Sequence, residues 1–312
     1  MSLAISTTTA EGIILAAESR QSFRNKKGIV RIGSDTASKV FQISSNIGIA
    51  VTGIAFLPEN GVRKSIGYFV EQFKEQYQKE IKLWKVEEIA NQLSVFLEKR
   101  YDYKSSQKSV GNQITDQIKQ NGFTSLDFKP WKGQILEFTF LDKEGKLGGG
   151  TATIDTITFI IAGFDKDKKQ KVFIVNVPGN VQAKRDGNIK GKEFGADWIG
   201  QIDIATRIVL GFDPRVESLP FVRENLQKNS SETLQQLRGL EYVIHWGTMT
   251  LQDGVDFSTL IIKTTEAMQK FSDGIAMNPG DAPGVGGEID IALITAKDGF
   301  NWLKQKEIRY KE

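Results

Sequence analysis

Histidine occurs once in this chain of 312 residues, at His245, and cysteine does not occur at all. Those two facts restrict the available chemistry. Without cysteine there is no disulfide, no thiolate metal site and no Cys nucleophile. A single histidine excludes any site with two or more His ligands within one chain, and a Ser/His/Asp triad could run only through His245. That residue lies in the apolar-aromatic run Tyr242-Val243-Ile244-His245-Trp246, which predicts a packed or hydrogen-bonded ring rather than a catalytic one. Gly148-Gly149-Gly150 lacks both the Lys-Ser/Thr pair and the following helix of a phosphate-binding loop, so it reads as a flexible connection. No metal and no cofactor is expected.

Charge and hydropathy narrow the partners. The net charge of +3 is small for this length, and basic residues alternate with acidic ones, as in Glu71-Gln72-Phe73-Lys74-Glu75. No polyanion-binding stripe results, so nucleic acid is not an expected partner. No apolar run approaches the roughly 20 residues of a membrane span, and no basic segment leads into an apolar core at the start, so neither a membrane nor a signal peptide is expected. The absence of cysteine fits a cytoplasmic protein.

The elements that must position any site follow from periodicity. Ala4 to Thr9 and Ile13 to Ala17 read as strands around a turn at Ala10-Glu11-Gly12. A basic loop, Arg24 to Arg31, precedes the strands Lys39 to Ile43 and Ile47 to Gly53. These runs lack clean alternation, which predicts sheets covered on both faces. Ile66, Phe69, Val70, Phe73 and Tyr77 recur at the helical period, as do Val86, Ile89, Ala90, Leu93 and Leu97. Further on come a short helix (Val110 to Gln120) and strands at Gln134 to Leu141, Ile157 to Gly163 and Val172 to Val177. A helix is expected over Ile199 to Leu210, and another carries Phe257, Leu260, Ile261, Thr264, Met268 and Phe271. A Gly/Pro loop (Pro279 to Gly287), a strand (Ile289 to Thr295) and a turn into Phe300-Asn301-Trp302-Leu303 end the pattern. The order suits two face-to-face sheets with helices outside both: one α+β domain over residues 1–312, with insertions at about 103–153 and 213–247.

Four segments carry a family likeness. Gly12-Ile13-Ile14-Leu15-Ala16-Ala17-Glu18-Ser19-Arg20 resembles the second strand of proteasome subunits, where an apolar run leads to Ala-Asp-Ser-Arg. Lys39-Val40-Phe41-Gln42-Ile43, with Ile49-Ala50-Val51-Thr52-Gly53, resembles the lysine strand and its successor. Phe159-Ile160-Ile161-Ala162-Gly163-Phe164-Asp165 matches a middle strand, and Gly286-Gly287-Glu288-Ile289-Asp290 through Leu303 is similar to the closing strand and turn. The resemblance is to proteasome-type N-terminal-nucleophile hydrolases. It implies the four-layer αββα sandwich of two mainly antiparallel sheets flanked by helices, an amide- or peptide-bond hydrolase, and ring-type homo-oligomers.

In that family a Thr or Ser at the mature N-terminus attacks with its hydroxyl, and its own α-amine takes the proton. Carried over by position, Ser2 is nucleophile and base, Glu18 the carboxylate, Lys39 the lysine that tunes the amine, and Gly53 the oxyanion donor. Hairpin counting places the partner of Glu18 near Ser2 or Leu3. Methionine before a small residue is commonly removed, which would expose Ser2. Thr7, Thr8 and Thr9 lie near the turn and read as strand residues. Glu18 and Lys39 also fit an ordinary cross-strand ion pair, and Gly53 also fits a tight strand-to-helix passage. Asp281 stands for the aspartate that supports the amine, although Val285 replaces the family's serine and Glu18 is longer than the family's Asp. Gly195-Ala196-Asp197 corresponds to the family's Gly-Ser-Gly before its third helix. A catalytically silent, self-assembling scaffold and a small-molecule amidase are the alternatives.

Overall fold

The chain opens with two strands, β1 (Leu3–Thr8) and β2 (Ile13–Glu18), in which every residue is buried. They pair antiparallel from Ala4 opposite Ala17 to Thr8 opposite Ile13, and Thr9 N–H donates to the Gly12 carbonyl (2.8 Å) to close the turn. The computed structural model describes residues 2–272 and 281–307. Met1 and the Pro279-Gly280 part of the expected Gly/Pro loop lie outside the described residues.

A hairpin stands where a basic loop is expected: β3 (Gln21–Arg24) pairs with β4 (Val30–Ser34). The Asn25 side chain makes this turn, accepting from Lys27 N–H (2.9 Å) and Ile29 N–H (3.0 Å), a local bond that hydropathy does not reveal. β5 (Val40–Ser44) and β6 (Ile47–Gly53) begin a second sheet. A second small hairpin, β7 (Phe56–Glu59) and β8 (Val62–Ser65), turns at Asn60-Gly61, both with positive φ, as the Asn-Gly hairpin signal demands. The two amphipathic helices follow as expected, α1 (Ile66–Gln76) and α2 (Val86–Glu98).

Residues 103–153 form a unit of their own. α3 (Tyr103–Gln120) is longer than the pattern predicts because its first two turns are polar. β9 (Thr124–Phe128), β10 (Ile135–Leu141) and β11 (Leu147–Thr153) form a separate three-stranded sheet with β10 in the middle. Gly148-Gly149-Gly150 is therefore strand, not flexible connection. The glycines leave room for aromatic rings of β10: a Cβ on Gly148 would meet the Phe140 ring at 2.8 Å, and one on Gly150 the Phe138 ring at 2.6 Å.

β12 (Ile157–Phe164), β13 (Gln170–Val177) and β14 (Val181–Asp186) complete the second sheet in the order β14-β13-β12-β6-β5. The chain then returns to the first sheet as β15 (Gly195–Gly200), antiparallel to β1. Ile199 and Gly200 thus belong to a strand, and the helix expected from Ile199 begins only at α4 (Asp203–Leu210). Ile199 fits a strand because it pairs with Ala4 and buries its side chain between the sheets. The second insertion holds α5 (Pro220–Lys228) and α6 (Ser230–Arg238). His245 beyond them is exposed, so the aromatic run does not pack it as expected. Its neighbours Tyr242 and Val243 stay exposed too, at 71% and 83%. α7 (Leu251–Phe271), β16 (Ile289–Thr295) and β17 (Gly299–Lys304) finish the chain, and the first sheet runs β15-β1-β2-β16-β17.

Three apolar clusters join these parts into a mixed α+β body. Ala4, Leu15, Ala292 and Phe300 of the first sheet meet Val40, Ala50, Ile160 and Val172 of the second. Phe69, Phe73, Leu93 and Phe96 of α1 and α2 cover the other face of the second sheet on Ile49, Phe159 and Val175. Ala205 of α4 and Ile261 and Ile262 of α7 cover the first sheet on Leu3, Ile14 and Ile291. Both faces of the two five-stranded sheets are covered in this way, which is why their central strands do not alternate. Among the described residues no helix is long and apolar enough to cross a membrane.

Candidate active site

Ser2 directly precedes β1, at the end of the first sheet where β15 stops. Its carbonyl accepts from Gln201 N–H (2.7 Å). Gly200, with φ +93°, makes this approach possible, since a Cβ there would stand 2.0 Å from the Ser2 carbonyl oxygen. Glu18 ends β2 across from Leu3, as hairpin counting predicts. Lys39 directly precedes β5, and its carbonyl accepts from Val51 N–H (2.9 Å), which anchors it to the second sheet. The site therefore spans the two sheets at one end of the layer between them.

Lys39 Nζ has three protons and three acceptors. It donates to Ser2 Oγ at 2.8 Å, to Glu18 Oε1 and to the Arg20 carbonyl. Such saturation suits an ammonium that polarises the serine hydroxyl. Glu18 is nearly inaccessible, and backbone N–H groups close on both its oxygens. Leu3 N–H donates to Oε1 (3.2 Å); Arg20 N–H and Gly286 N–H (3.3 Å) donate to Oε2. The methylene by which Glu exceeds Asp thus finds a fitted bed.

Burial pushes the Glu18 carboxyl up, opposed by the Lys39 charge and by these N–H groups. Burial also pulls Lys39 down, opposed by Glu18, while the Lys306 and Arg20 cations add to the fall. We take the pair as ionised, because Glu18 receives four donors and Lys39 meets three acceptors. The depression of Lys39 then expresses how costly its buried charge would be without Glu18.

Arg20, one residue past Ser19, braces the site. Its guanidinium grips Asp35 with two bonds (2.7 and 3.1 Å), and that contact holds the Asp35 carboxyl below the usual carboxylate range. Arg20 Nη1 also donates to the Pro283 and Val285 carbonyls (both 3.4 Å). From the other side Gln269 of α7 accepts from Gly284 N–H (3.0 Å) and Val285 N–H (2.9 Å) and donates to Gln201. The loop that offers Gly286 to Glu18 is clamped from both sides.

The structure thus brings Ser2, Glu18 and Lys39 together. Gly53, at the end of β6, borders the same cavity, of about 540 Å³, that Ser2 and Lys39 line. Asp281 is not in this group. Its Oδ1 accepts from Val30 N–H (2.7 Å), and its other oxygen lies 4.0 Å from Arg24, so it docks the loop on the β3–β4 hairpin. Gly195-Ala196-Asp197 also lies elsewhere, opposite Thr8, Thr7 and Ser6; Gly200-Gln201 holds the place beside Ser2. Arg20, Asp35, Gln201 and Gln269 escape sequence reasoning. Arg20 alone had a signal, as part of the quoted Glu18-Ser19-Arg20 run. Among the described residues no group of three or more His, Asp or Glu side chains could hold a metal ion. Compared with known proteins, the chain matches no family model and no curated sequence.

Proposed function

We propose that this protein is an amide hydrolase of the N-terminal-nucleophile type, a relative of proteasome subunits built on their αββα sandwich, with Ser2 as nucleophile once Met1 is removed. The observation that carries the reading is the 2.8 Å bond from Lys39 Nζ to Ser2 Oγ, made by a buried ammonium whose other protons are taken by Glu18 and the Arg20 carbonyl. An ordinary ion pair would not need a serine hydroxyl at its third proton.

The chemistry follows from these positions. A Ser2 α-amine has a pKa near 8, so at working pH it can take a proton. The Ser2 hydroxyl oxygen attacks the substrate carbonyl while its proton passes to the amine. The ammonium of Lys39 lies beside Ser2 Oγ and keeps the nearby amine neutral through like-charge proximity. The tetrahedral oxyanion faces the cavity wall at Gly53. The carbon–nitrogen bond then breaks, and the leaving amine takes the proton back from the Ser2 ammonium. Water, activated by the same amine, hydrolyses the remaining ester and restores the hydroxyl. The substrate class is a peptide or protein, and ring-type homo-oligomers belong to the same reading.

One observation favours a second reading, a silent scaffold. Asp281, which the resemblance puts in support of the amine, is committed to Val30 instead. One experiment separates the two. Intact mass is taken before and after exposure to an electrophilic peptide that traps N-terminal hydroxyl nucleophiles. Loss of Met1 and a single adduct, absent in Ser2→Ala, supports the hydrolase. A retained Met1, or a free Ser2 that never labels, removes it in favour of the scaffold.

A further inference from the structure

The cavity beside Ser2 carries information on what the site would accept. Its walls come from the second sheet and from elements that rim it: Phe41 and Val51 of β5 and β6, Ile54 and Ala55 in the connection after Gly53, Phe56 of β7, and Tyr68 of α1. Phe41 packs its ring against Gly67, where a Cβ would come within 3.0 Å, so the floor is fixed by a close side-chain fit. The β7–β8 hairpin holds Phe56 at the rim, 44% exposed although it is a large apolar side chain. Tyr68, at the same rim, keeps its hydroxyl engaged by Gln72 Nε2 (2.9 Å).

Three charged side chains border the cavity, and each already has a partner. Arg20 is gripped by Asp35, Lys39 by Glu18, and Glu71 by Lys74 (2.9 Å). A charged group entering the cavity would lose water and find no unpaired opposite charge among these three, which is unfavourable. An apolar group would exchange water for the rings and aliphatic walls. The volume of about 540 Å³ lies within the range of about 300–1,000 Å³ that small-molecule pockets occupy.

We infer that this cavity selects a large apolar group, aromatic or branched aliphatic, on the acyl side of the amide bond presented to Ser2, with Phe56 of the β7–β8 hairpin as a specificity-determining residue. The inference rests on the hydrolase reading of the same site. Its chemistry is met equally by a peptide residue preceding the scissile bond and by an aryl-acyl chain on a small amide.

The test uses the full chain and electrophilic probes that share one reactive group. One set consists of capped dipeptides ending in Phe, Leu, Arg or Asp next to the electrophile; a further probe carries a phenylpropionyl group and no peptide. A small electrophile with no side chain reports on Ser2 alone. Labelling by Phe and Leu probes about 10- to 100-fold faster than by Arg and Asp probes is the expected result. If the phenylpropionyl probe keeps pace, the acyl source is a small amide; if it lags, a peptide. Phe56→Asp should reverse the order between Phe and Arg probes, and Tyr68→Glu serves if circular dichroism shows Phe56→Asp unfolded. Labelling by the small electrophile without discrimination among the dipeptides, or a preference for Arg or Asp in the parent chain, overturns the inference and leaves the hydrolase reading standing. Failure of the small electrophile to label Ser2 overturns both.

Discussion

Removing the Lys39 ammonium would leave Glu18 buried without the cation that opposes its desolvation. Breaking a buried pair from one side costs about 3–5 kcal/mol, whereas replacing both partners with neutral groups of similar shape costs far less. Lys39→Met should therefore lower the chemical-denaturation midpoint clearly, and Glu18→Gln with Lys39→Met should recover most of the loss, while neither labels at Ser2. The pH slope checks the cause. Glu18 in Lys39→Met holds its proton more tightly folded than unfolded. That contribution is fully present below the unfolded pKa and is lost as pH rises through the folded value. The stability of Lys39→Met should thus fall from the ordinary glutamate range towards neutrality, more steeply than that of the parent chain. Gly200→Ala tests the brace on the other side. It forces a side chain to φ +93° and against the Ser2 carbonyl, so a loss of about 1–3 kcal/mol and of Ser2 labelling is expected. At this scale the place of Glu18 opposite the start of β1 was legible because a tight hairpin converts counting into cross-strand position, whereas the choice of Ser2 and Lys39 came only from the family resemblance. Gln201, Gln269 and the true partner of Asp281 were not legible, since each depends on where a distant loop comes to rest.

Elements were legible where one face repeats. α1, α2 and α7 announce themselves through apolar stripes that the sheets then cover. The β3–β4 hairpin and β15 did not, because their residues sit at an exposed rim or a sheet edge and carry no such stripe. The β11 glycines misled for a different reason. Glycine ordinarily weakens a strand, yet here the missing side chains make room for Phe138 and Phe140. Gly150→Val would drive a branched side chain into the Phe138 ring, and overpacking of this kind costs about 1–3 kcal/mol. The loss should show as earlier hydrogen exchange across β9, β10 and β11, with labelling of Ser2 unchanged.

For the whole molecule, residues 103–153 build a small core of Ile114, Ile118 and Leu136 apart from the three clusters of the body. The ends of this unit meet, since the Tyr101 hydroxyl donates to the Asp155 carbonyl at 2.8 Å. Replacing residues 104–153 by a short glycine-serine linker should preserve a cooperative melt and Ser2 labelling, because none of them lines the cavity. A collapsed melt would show that the unit is integral to the body. The first sheet has another consequence, in the order of synthesis. β1 and β2 leave the ribosome well before the segments they pair with: β1 waits for β15 on its other side, β2 waits for β16, and Glu18 waits for Gly286. At about 5–20 residues per second, that wait is on the order of 15–60 s for a growing chain. Ser2 would spend it without the loop that fixes Glu18, so the buried pair of Glu18 and Lys39 beside it gains its last backbone donor only after residue 286 has been made.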